Sequence, residues 1–304
     1  VTKAMIIINP SSGKEKAKSL LPQAENLLGS LYDEVIICET KGEGDATRFG
    51  EDACRNHFEA VISMGGDGTV NETVNGLAEK EHQPDFGIIP LGTVNDFARA
   101  IGIPLDPEEA LRLISFKKTV PADIGKVNER HFMNVLAVGA IAEATSNVSA
   151  VQKTKMGSLA YFIEGVKTLI NKTPFTLTIE HEHGSWTGKT YLMLAAMTNS
   201  VGGFEKLAPN AEVDDGKMHI FIIKDISLPS ILKILPKLMR GELKEHKHVE
   251  YIRSSFIAVT ASEELIVNVD GDEGEPLPFQ AKVLRKHLNF FVPDTKEISS
   301  KGEK

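Results

Sequence analysis

Four short apolar runs, each followed by a stretch with helical spacing, fill the first third of the chain. The runs are Met5–Ile8, Val35–Cys38, Ala60–Met64 and Phe86–Ile89. The helical patterns cover about Glu15–Leu28, Asp45–Asn56, Val70–Ala78 and Asn95–Ile101. Strands this short and this continuously apolar are buried on both faces. Strand–helix repetition gathers them into one mainly parallel sheet with helices on either side. Asp106, Pro107 and Glu109 predict one more helix, with the aspartate as N-cap and the proline in the first position.

Near Val120 the pattern changes, and strands now follow strands. They are expected over Thr119–Lys126, His131–Val138, Phe175–His181, Lys189–Thr198, Lys217–Ile223, Tyr251–Thr260, Glu264–Val269, Ala281–Leu284 and Leu288–Val292. Asn128-Glu129, His183-Gly184 and Asp215-Gly216 supply turns, and helical patterns interrupt at about Ser158–Asn171 and Leu228–Arg240. This half reads as an antiparallel β-sandwich. The expected fold class is therefore α/β, with domains over 1–120 and 121–290. The segment of about 290–304 is a candidate to return to the first.

A chain of 304 residues is long enough for two separate cores. The formal net charge of −8 disfavours nucleic acid as a partner. Cys38 and Cys54 are the two cysteines, which suits a reducing, cytoplasmic setting better than a disulfide framework. Val1–Asn9 reads as a strand and not as a signal peptide, and no apolar run reaches membrane-spanning length. A membrane-borne substrate would be met from the water side.

The chemistry concentrates where the strands end. Ala60–Met64 runs into Gly65-Gly66-Asp67-Gly68-Thr69. In open parallel sheets, ligands sit beyond the carboxyl ends of the strands. Glycines there let backbone N–H groups approach an anion, and the next helix adds its N-terminal partial charge. Thr69 and Glu72 have capping-box spacing, as do Thr93 and Asp96. Two other strand ends share this character: Asn9-Pro10-Ser11-Ser12-Gly13-Lys14, and Gly92, Thr93, Asn95 and Asp96. Each turn alone is equally a plain helix start; three at one sheet edge point to a nucleotide. The sequence has no G-x-x-x-x-G-K-[ST], no G-x-G-x-x-G after the first strand and no protein-kinase motif set. Asp67 beside phosphates needs a cation between them, which implies Mg²⁺.

"GGDGTVNETVNGL" together with "PLGTVNDFARA" resembles the diacylglycerol kinase catalytic domain of the soluble bacterial lipid kinase family, related to sphingosine kinases. The first motif is shared with NAD kinases; "GTVNDFAR" is more specific to lipid kinases. "INPSSGK" and "VDGDEG" agree, and the resemblance spans the whole chain. It implies ATP bound by the first domain, Mg²⁺, and phosphoryl transfer to the hydroxyl of diacylglycerol, giving phosphatidic acid. By that resemblance, Asn9, Pro10, Ser11, Ser12, Gly13, Thr40, Gly66, Asp67, Gly68, Thr69, Val70, Asn71, Glu72, Thr93 and Asp96 contact the nucleotide. The metal loop resembles "AEVDDGK", with Asp215 as a side-chain ligand and Glu212 and Lys217 nearby through their backbone carbonyls. Asp67, Asp96 and Asp215 would form an acidic network coupled to that metal. Asp272 occupies the catalytic-base position of an Asp-Gly-Glu motif that here reads Asp270-Gly271-Asp272. Read without the resemblance, that stretch is an acidic turn between two strands.

The resemblance also implies a homodimer and peripheral, transient contact with a membrane surface. Residues 228–248 are apolar and then basic, with Lys233, Lys237, Arg240, Lys244 and Lys247 against Glu242 and Glu245. They read as a membrane-facing helix or as a core helix with a solvated end. Leu159, Phe162, Ile163 and Val166 line an apolar cleft for lipid chains or belong to the core. Three alternatives stand beside diacylglycerol kinase. They are a kinase of another lipid (sphingoid, ceramide-like or polyprenol), an NAD kinase, and a non-catalytic lipid-binding regulator.

Overall fold

The computed structural model describes residues 1–14, 16–139, 173–202, 207–224, 234, 236–238 and 240–293. The chain divides into two units. One is Val1–Ala122 with the residues from Lys286 on, and the other is Asp123–Arg285. The sequence pattern predicts the division between 120 and 121.

The first unit alternates as its sequence dictates: β1 (Lys3–Ile8), α1 (Lys16–Leu31), β2 (Glu34–Glu39), α2 (Asp45–Arg55), β3 (Ala60–Gly65), α3 (Asp67–Leu77), β4 (Asp85–Pro90), α4 (Asp96–Ala100) and α5 (Pro107–Ile114). The strand order is β2-β1-β3-β4, with every pair parallel. Ile6, Ile7, Ile8, Ile62, Met64 and Phe86 are wholly or almost wholly buried. That explains the unbroken apolar runs: β3 is buried throughout, and β1 and β4 meet water only at their first residues, Lys3 and Asp85. Asp106 caps α5 as expected, accepting the N–H groups of Glu108 and Glu109 at 3.1 and 3.0 Å.

The second unit is built from β5 (Thr119–Val127), β6 (Arg130–Phe132), β7 (Val135–Gly139), β8 (Phe175–His181), β9 (Gly184–Thr190), β10 (Leu192–Ala196), β11 (Met218–Ile223), β12 (Val249–Ser254), β13 (Phe256–Ala261), β14 (Ile266–Val269), β15 (Asp272–Pro276) and the start of β16 (Phe279–Phe291). One antiparallel sheet has the order β12-β11-β10-β7-β14-β15. The start of β16, then β13, β8 and β9, form a second antiparallel run. A shared apolar core takes Leu177, Ile179, Ile257 and Val259 from one sheet and Val138, Met193, Ile220 and Val267 from the other. A second apolar cluster covers the opposite face of β7, β10 and β11. Strands β10 and β11 are consequently buried at every position.

Several expected boundaries move. His131–Val138 is two strands, β6 and β7, and Tyr251–Thr260 is two strands that turn at Ser255. Ala281–Leu284 and Leu288–Val292 are one strand, which continues through the charged Arg285-Lys286-His287 with Lys286 at φ 48°. The start of β16 pairs with β13, and Phe290 near its end pairs parallel with Phe86 of β4. The end of the strand thus belongs to the first unit. The expected helix at Ser158–Asn171, with Leu159, Phe162, Ile163 and Val166, lies outside the described residues. Within residues 228–248, Ile234, Leu238 and Leu243 are buried in the second cluster. Lys237 faces Glu242 and Glu245, and Arg240 faces Glu242 at 3.1 Å. These apolar side chains are core, which favours the second of the two readings of that stretch.

Candidate active site

Because β2, β1, β3 and β4 run parallel, the residues that follow each strand emerge at one edge of the sheet. Asn9–Gly13 follow β1, Thr40 follows β2, Gly66 follows β3 and Gly92 lies just past β4. The order reverses between β1 and β3, the place where open α/β sheets hold ligands. The turns there are built from their own polar groups. Asn9 Oδ1 accepts the backbone N–H of Ser11 at 3.2 Å and its hydroxyl at 2.8 Å. The Asn9 N–H donates to Met64 O at 3.0 Å, and the Thr40 N–H to Ile8 O at 2.9 Å.

The turns after β3 and β4 touch through bare backbone. A Cβ on Gly92 would lie 2.8 Å from the Cα of Gly66, closer than real Cβ atoms approach. Asp67 then joins the two turns: Oδ2 accepts the Asn95 N–H at 2.8 Å and Oδ1 the Asp96 N–H at 2.9 Å. Asn95 takes a left-handed conformation, and its side chain folds back to bond Gly92 N at 2.9 Å and Gly92 O at 3.0 Å. Gly68 differs from both glycines. A Cβ there would meet no protein atom within 4 Å, and its φ is not in the left-handed region. Nothing in the fold itself requires glycine at 68.

Neither expected capping box forms. Helix α3 starts at Asp67 with Gly66 as N-cap, and α4 starts at Asp96 with Asn95 as N-cap; neither N-cap makes a side-chain cap bond. Thr69 packs its side chain against Gly65. Glu72 reaches the neighbouring helix instead, where its Oε2 accepts the N–H of Ala46 in the first turn of α2 at 3.2 Å. Val70 and Asn71 are buried, whereas Thr93 is exposed. The backbone of Gly66–Thr69, and not the side chains of residues 70–72, is what this edge presents.

Burial pushes the Asp67 carboxyl above the usual carboxylate range, and the Asp96 carboxylate beside it adds to that; the bonds from Asn95 N and Asp96 N offset it only in part. Were this edge to hold phosphates, two adjacent acids beside them would call for a cation, and Asp67 and Asp96 are the residues that could share it.

Asp215, Glu212 and Lys217 lie in the second unit, where the Glu212 carbonyl accepts the Asp215 N–H at 3.3 Å and the Asp215 carboxylate has a full set of protein partners. Asp215 Oδ1 accepts the Lys217 N–H at 2.9 Å, while Oδ2 takes His219 Nε2 and the Arg253 guanidinium, each at 2.9 Å. Burial raises the Asp215 carboxyl, but His219, Lys217 N and Arg253 together hold it below the usual carboxylate range. Lys217 directs its ammonium to Glu182, and Glu212 is exposed. Among the described residues, no three His, Cys, Asp or Glu side chains gather as a metal cage.

Sequence reasoning missed Asp123. It is buried, its Oδ2 accepts the Gly216 N–H at 2.6 Å, and its own N–H donates to Val213 O at 2.7 Å. It thereby pins the loop that carries Asp215. A lone acid inside an apolar strand is the signal that was available for it.

The Asp270-Gly271 pair is the turn between β14 and β15, with φ of 51° and 99°. Two consecutive positive φ values are what a tight hairpin of this type needs. The Asp270 carboxylate accepts three backbone N–H groups: Met133 on Oδ2 at 2.7 Å, and Asn134 and Val135 on Oδ1 at 2.9 and 2.8 Å. Asp272 follows at the start of β15, largely exposed, with its Oδ2 2.9 Å from the Arg130 guanidinium.

The comparisons agree with this architecture. The family model of the diacylglycerol kinase catalytic domain matches residues 3–127. The model of the YegS C-terminal NAD kinase beta sandwich-like domain matches residues 134–292. The chain is 37% identical to a diacylglycerol kinase of Bacillus subtilis (strain 168), over 97% of each chain. It is 38% identical to a diacylglycerol kinase of Staphylococcus carnosus (strain TM300), over 96% of this chain and 95% of that one. A crystal structure of a diacylglycerol kinase from Bacillus anthracis str. Sterne matches with a TM-score of 0.82 at 28% identity, covering 97% of this chain and 98% of that one. With both models in register and identity sustained from end to end, the chain belongs to the diacylglycerol kinase family of enzymes.

Proposed function

We propose that this protein is a lipid kinase that transfers the γ-phosphoryl group of ATP, with Mg²⁺, to the free hydroxyl of diacylglycerol, giving phosphatidic acid and ADP. The observation that carries this is the pair of glycine-built turns after β3 and β4. They are held together by Asp67, and they present a helix N-terminus and an unobstructed Gly68 at the carboxyl edge of a parallel sheet. Backbone N–H groups in that setting suit a polyphosphate. Asn9–Gly13 and Thr40 border the same edge, with Thr93 and Asp96 at its far side.

The hydroxyl oxygen attacks the γ-phosphorus, the bond to the β,γ-bridging oxygen breaks, and ADP leaves. Asp272 accepts the hydroxyl proton as the new P–O bond forms. Asp67 and Asp96 are the acids that would share Mg²⁺ with the phosphates, where the cation offsets their charge. In the described residues no helix is long and apolar enough to cross a membrane. By family resemblance the lipid is reached by peripheral, transient contact with the membrane surface. A homodimer remains part of the proposal on family grounds.

The test is an acceptor panel with γ-labelled ATP: dioleoylglycerol in mixed micelles, sphingosine, ceramide, undecaprenol and NAD. Label in phosphatidic acid is expected, and its rate of appearance should fall about 10²- to 10⁴-fold in Asp272→Asn. Label in NADP, or ATP consumption independent of every lipid, overturns the assignment.

A further inference from the structure

Within the second unit, the segment around Arg130 is pinned at both ends to the hairpin that carries Asp272. On one side is Asn128, in the turn between β5 and β6. Its Nδ2 donates to Glu275 Oε2 of β15 at 2.5 Å, and its Oδ1 accepts the N–H of Gln280 of β16 at 3.1 Å. Its own N–H donates to Gln280 O at 2.9 Å. On the other side, the N–H groups of Met133, Asn134 and Val135 converge on the Asp270 carboxylate, and the Asp270 N–H returns to Val135 O at 3.0 Å. Arg130 lies between these two anchors. Its Nη2 reaches Asp272 Oδ2 at 2.9 Å, and its Nη1 reaches the carbonyl of Glu273 at 3.4 Å.

An ion pair this exposed contributes little to stability. The anchoring is out of proportion to so small a return. It makes sense if the orientation of the Asp272 carboxylate is what matters. A carboxylate on an open strand end samples several rotamers, and a proton acceptor must sit within hydrogen-bond reach of the hydroxyl it serves. A guanidinium fixed by two oxygens on one short segment restricts that freedom. With Oδ2 held, Oδ1 is the oxygen left to take the proton.

We infer that Arg130 is the positioning residue for the proton-accepting carboxylate of Asp272. The inference rests on the proposed role of Asp272. A side chain displaced by about 1 Å from its working geometry can lose 10²-fold in rate, so losing this contact should lower kcat and leave nucleotide binding alone.

The experiment compares Arg130→Met, Arg130→Lys, Asp272→Asn and the double variant Arg130→Met/Asp272→Asn. Each is assayed with ATP and dioleoylglycerol in mixed micelles, with the thermal midpoint recorded beside the kinetics. Arg130→Met is expected to lower kcat about 10- to 100-fold, with the KM for ATP changed less than about twofold and the midpoint retained. Arg130→Lys should recover part of kcat, since an ammonium still holds one oxygen. The double variant should be no slower than Asp272→Asn alone, because one lost function cannot be lost twice. An Arg130→Met variant with normal kcat, while Asp272→Asn is inactive, overturns the positioning role and leaves the base standing. So does a double variant slower than Asp272→Asn by the full Arg130→Met factor. If Asp272→Asn itself turns over normally, the base assignment falls and the positioning role falls with it.

Discussion

Replacing Gly68 with alanine separates what the fold needs from what a ligand needs. The added methyl group would meet no protein atom within 4 Å, and the backbone is not in the left-handed region. Gly68 lies in the first turn of α3. There, exchanging glycine for alanine removes freedom from the unfolded chain and should stabilise the first unit by about 0.4–1 kcal/mol. For a folding unit of this size, that raises the thermal midpoint by about 1–4 °C. Nucleotide binding should move the other way. If phosphate oxygens approach the N–H groups of Gly66–Thr69, a Cβ at 68 holds them off and weakens one charge-assisted hydrogen bond. The loss is about 1.5–3 kcal/mol, or roughly 10- to 100-fold in Kd. Scanning calorimetry without ligand and titration calorimetry with an ATP analogue read the two quantities separately. A variant that is more stable and binds ATP as tightly as the parent refutes a phosphate site at this turn. A variant that is less stable refutes the statement that the fold leaves position 68 free.

Gly92→Ala should show the opposite pattern. Its Cβ would lie 2.8 Å from the Cα of Gly66 and 2.7 Å from Asn95 Oδ1. Overpacking against backbone costs about 1–3 kcal/mol, so the midpoint and ATP affinity should fall together; an unchanged midpoint by calorimetry contradicts the close approach. Glu182 gives a pH signature in the second unit. The Lys217 ammonium, with the N–H and hydroxyl of Ser255, holds its carboxyl down to about 2, from an ordinary value of 4.5. A depressed folded-state value stabilises the fold above the unfolded value and loses that contribution as pH falls through the folded one. The midpoint advantage of the parent over Glu182→Gln should therefore be full at pH 6 and shrink between about pH 4.5 and pH 2. An advantage independent of pH over that range contradicts the ion pair.

Much of this architecture was legible because it repeats or is locally encoded. Unbroken apolar runs such as Ala60–Met64 admit few fates other than a sheet covered on both faces, and Asp106-Pro107 carries its own cap chemistry. What stayed hidden depends on tertiary neighbours. Thr69 and Glu72 have the spacing of a capping box, yet Glu72 satisfies Ala46 N on another helix, a partner remote in sequence. The charged Arg285-Lys286-His287 suggested a break between two strands. The strand continues because those side chains lie exposed or half-exposed while Leu288 and Phe290 go back to the core. At the site, glycine positions and residue types were readable. The joining of two turns by Asp67, the burial of Asp123 and the reach of Arg130 are set by packing across distant segments, which spacing along a chain does not encode.

The shared final strand bears on the order in which the protein is made. Phe290 packs its ring at a tilt against Phe86 and Phe97, with centroids 5.5 and 4.8 Å away, and the Val292 N–H donates to Lys118 O at 3.0 Å. These contacts complete the first unit with residues synthesised after the second unit. The roughly 160 residues between Ala122 and the part of that strand that joins the first unit take about 8–30 s to translate at about 5–20 residues per second. Throughout that interval the nascent N-terminal half exposes an apolar edge along β4. A ribosome stalled before Leu288 should display a protease-sensitive, chaperone-bound intermediate, and emergence of the strand through Val292 should close it.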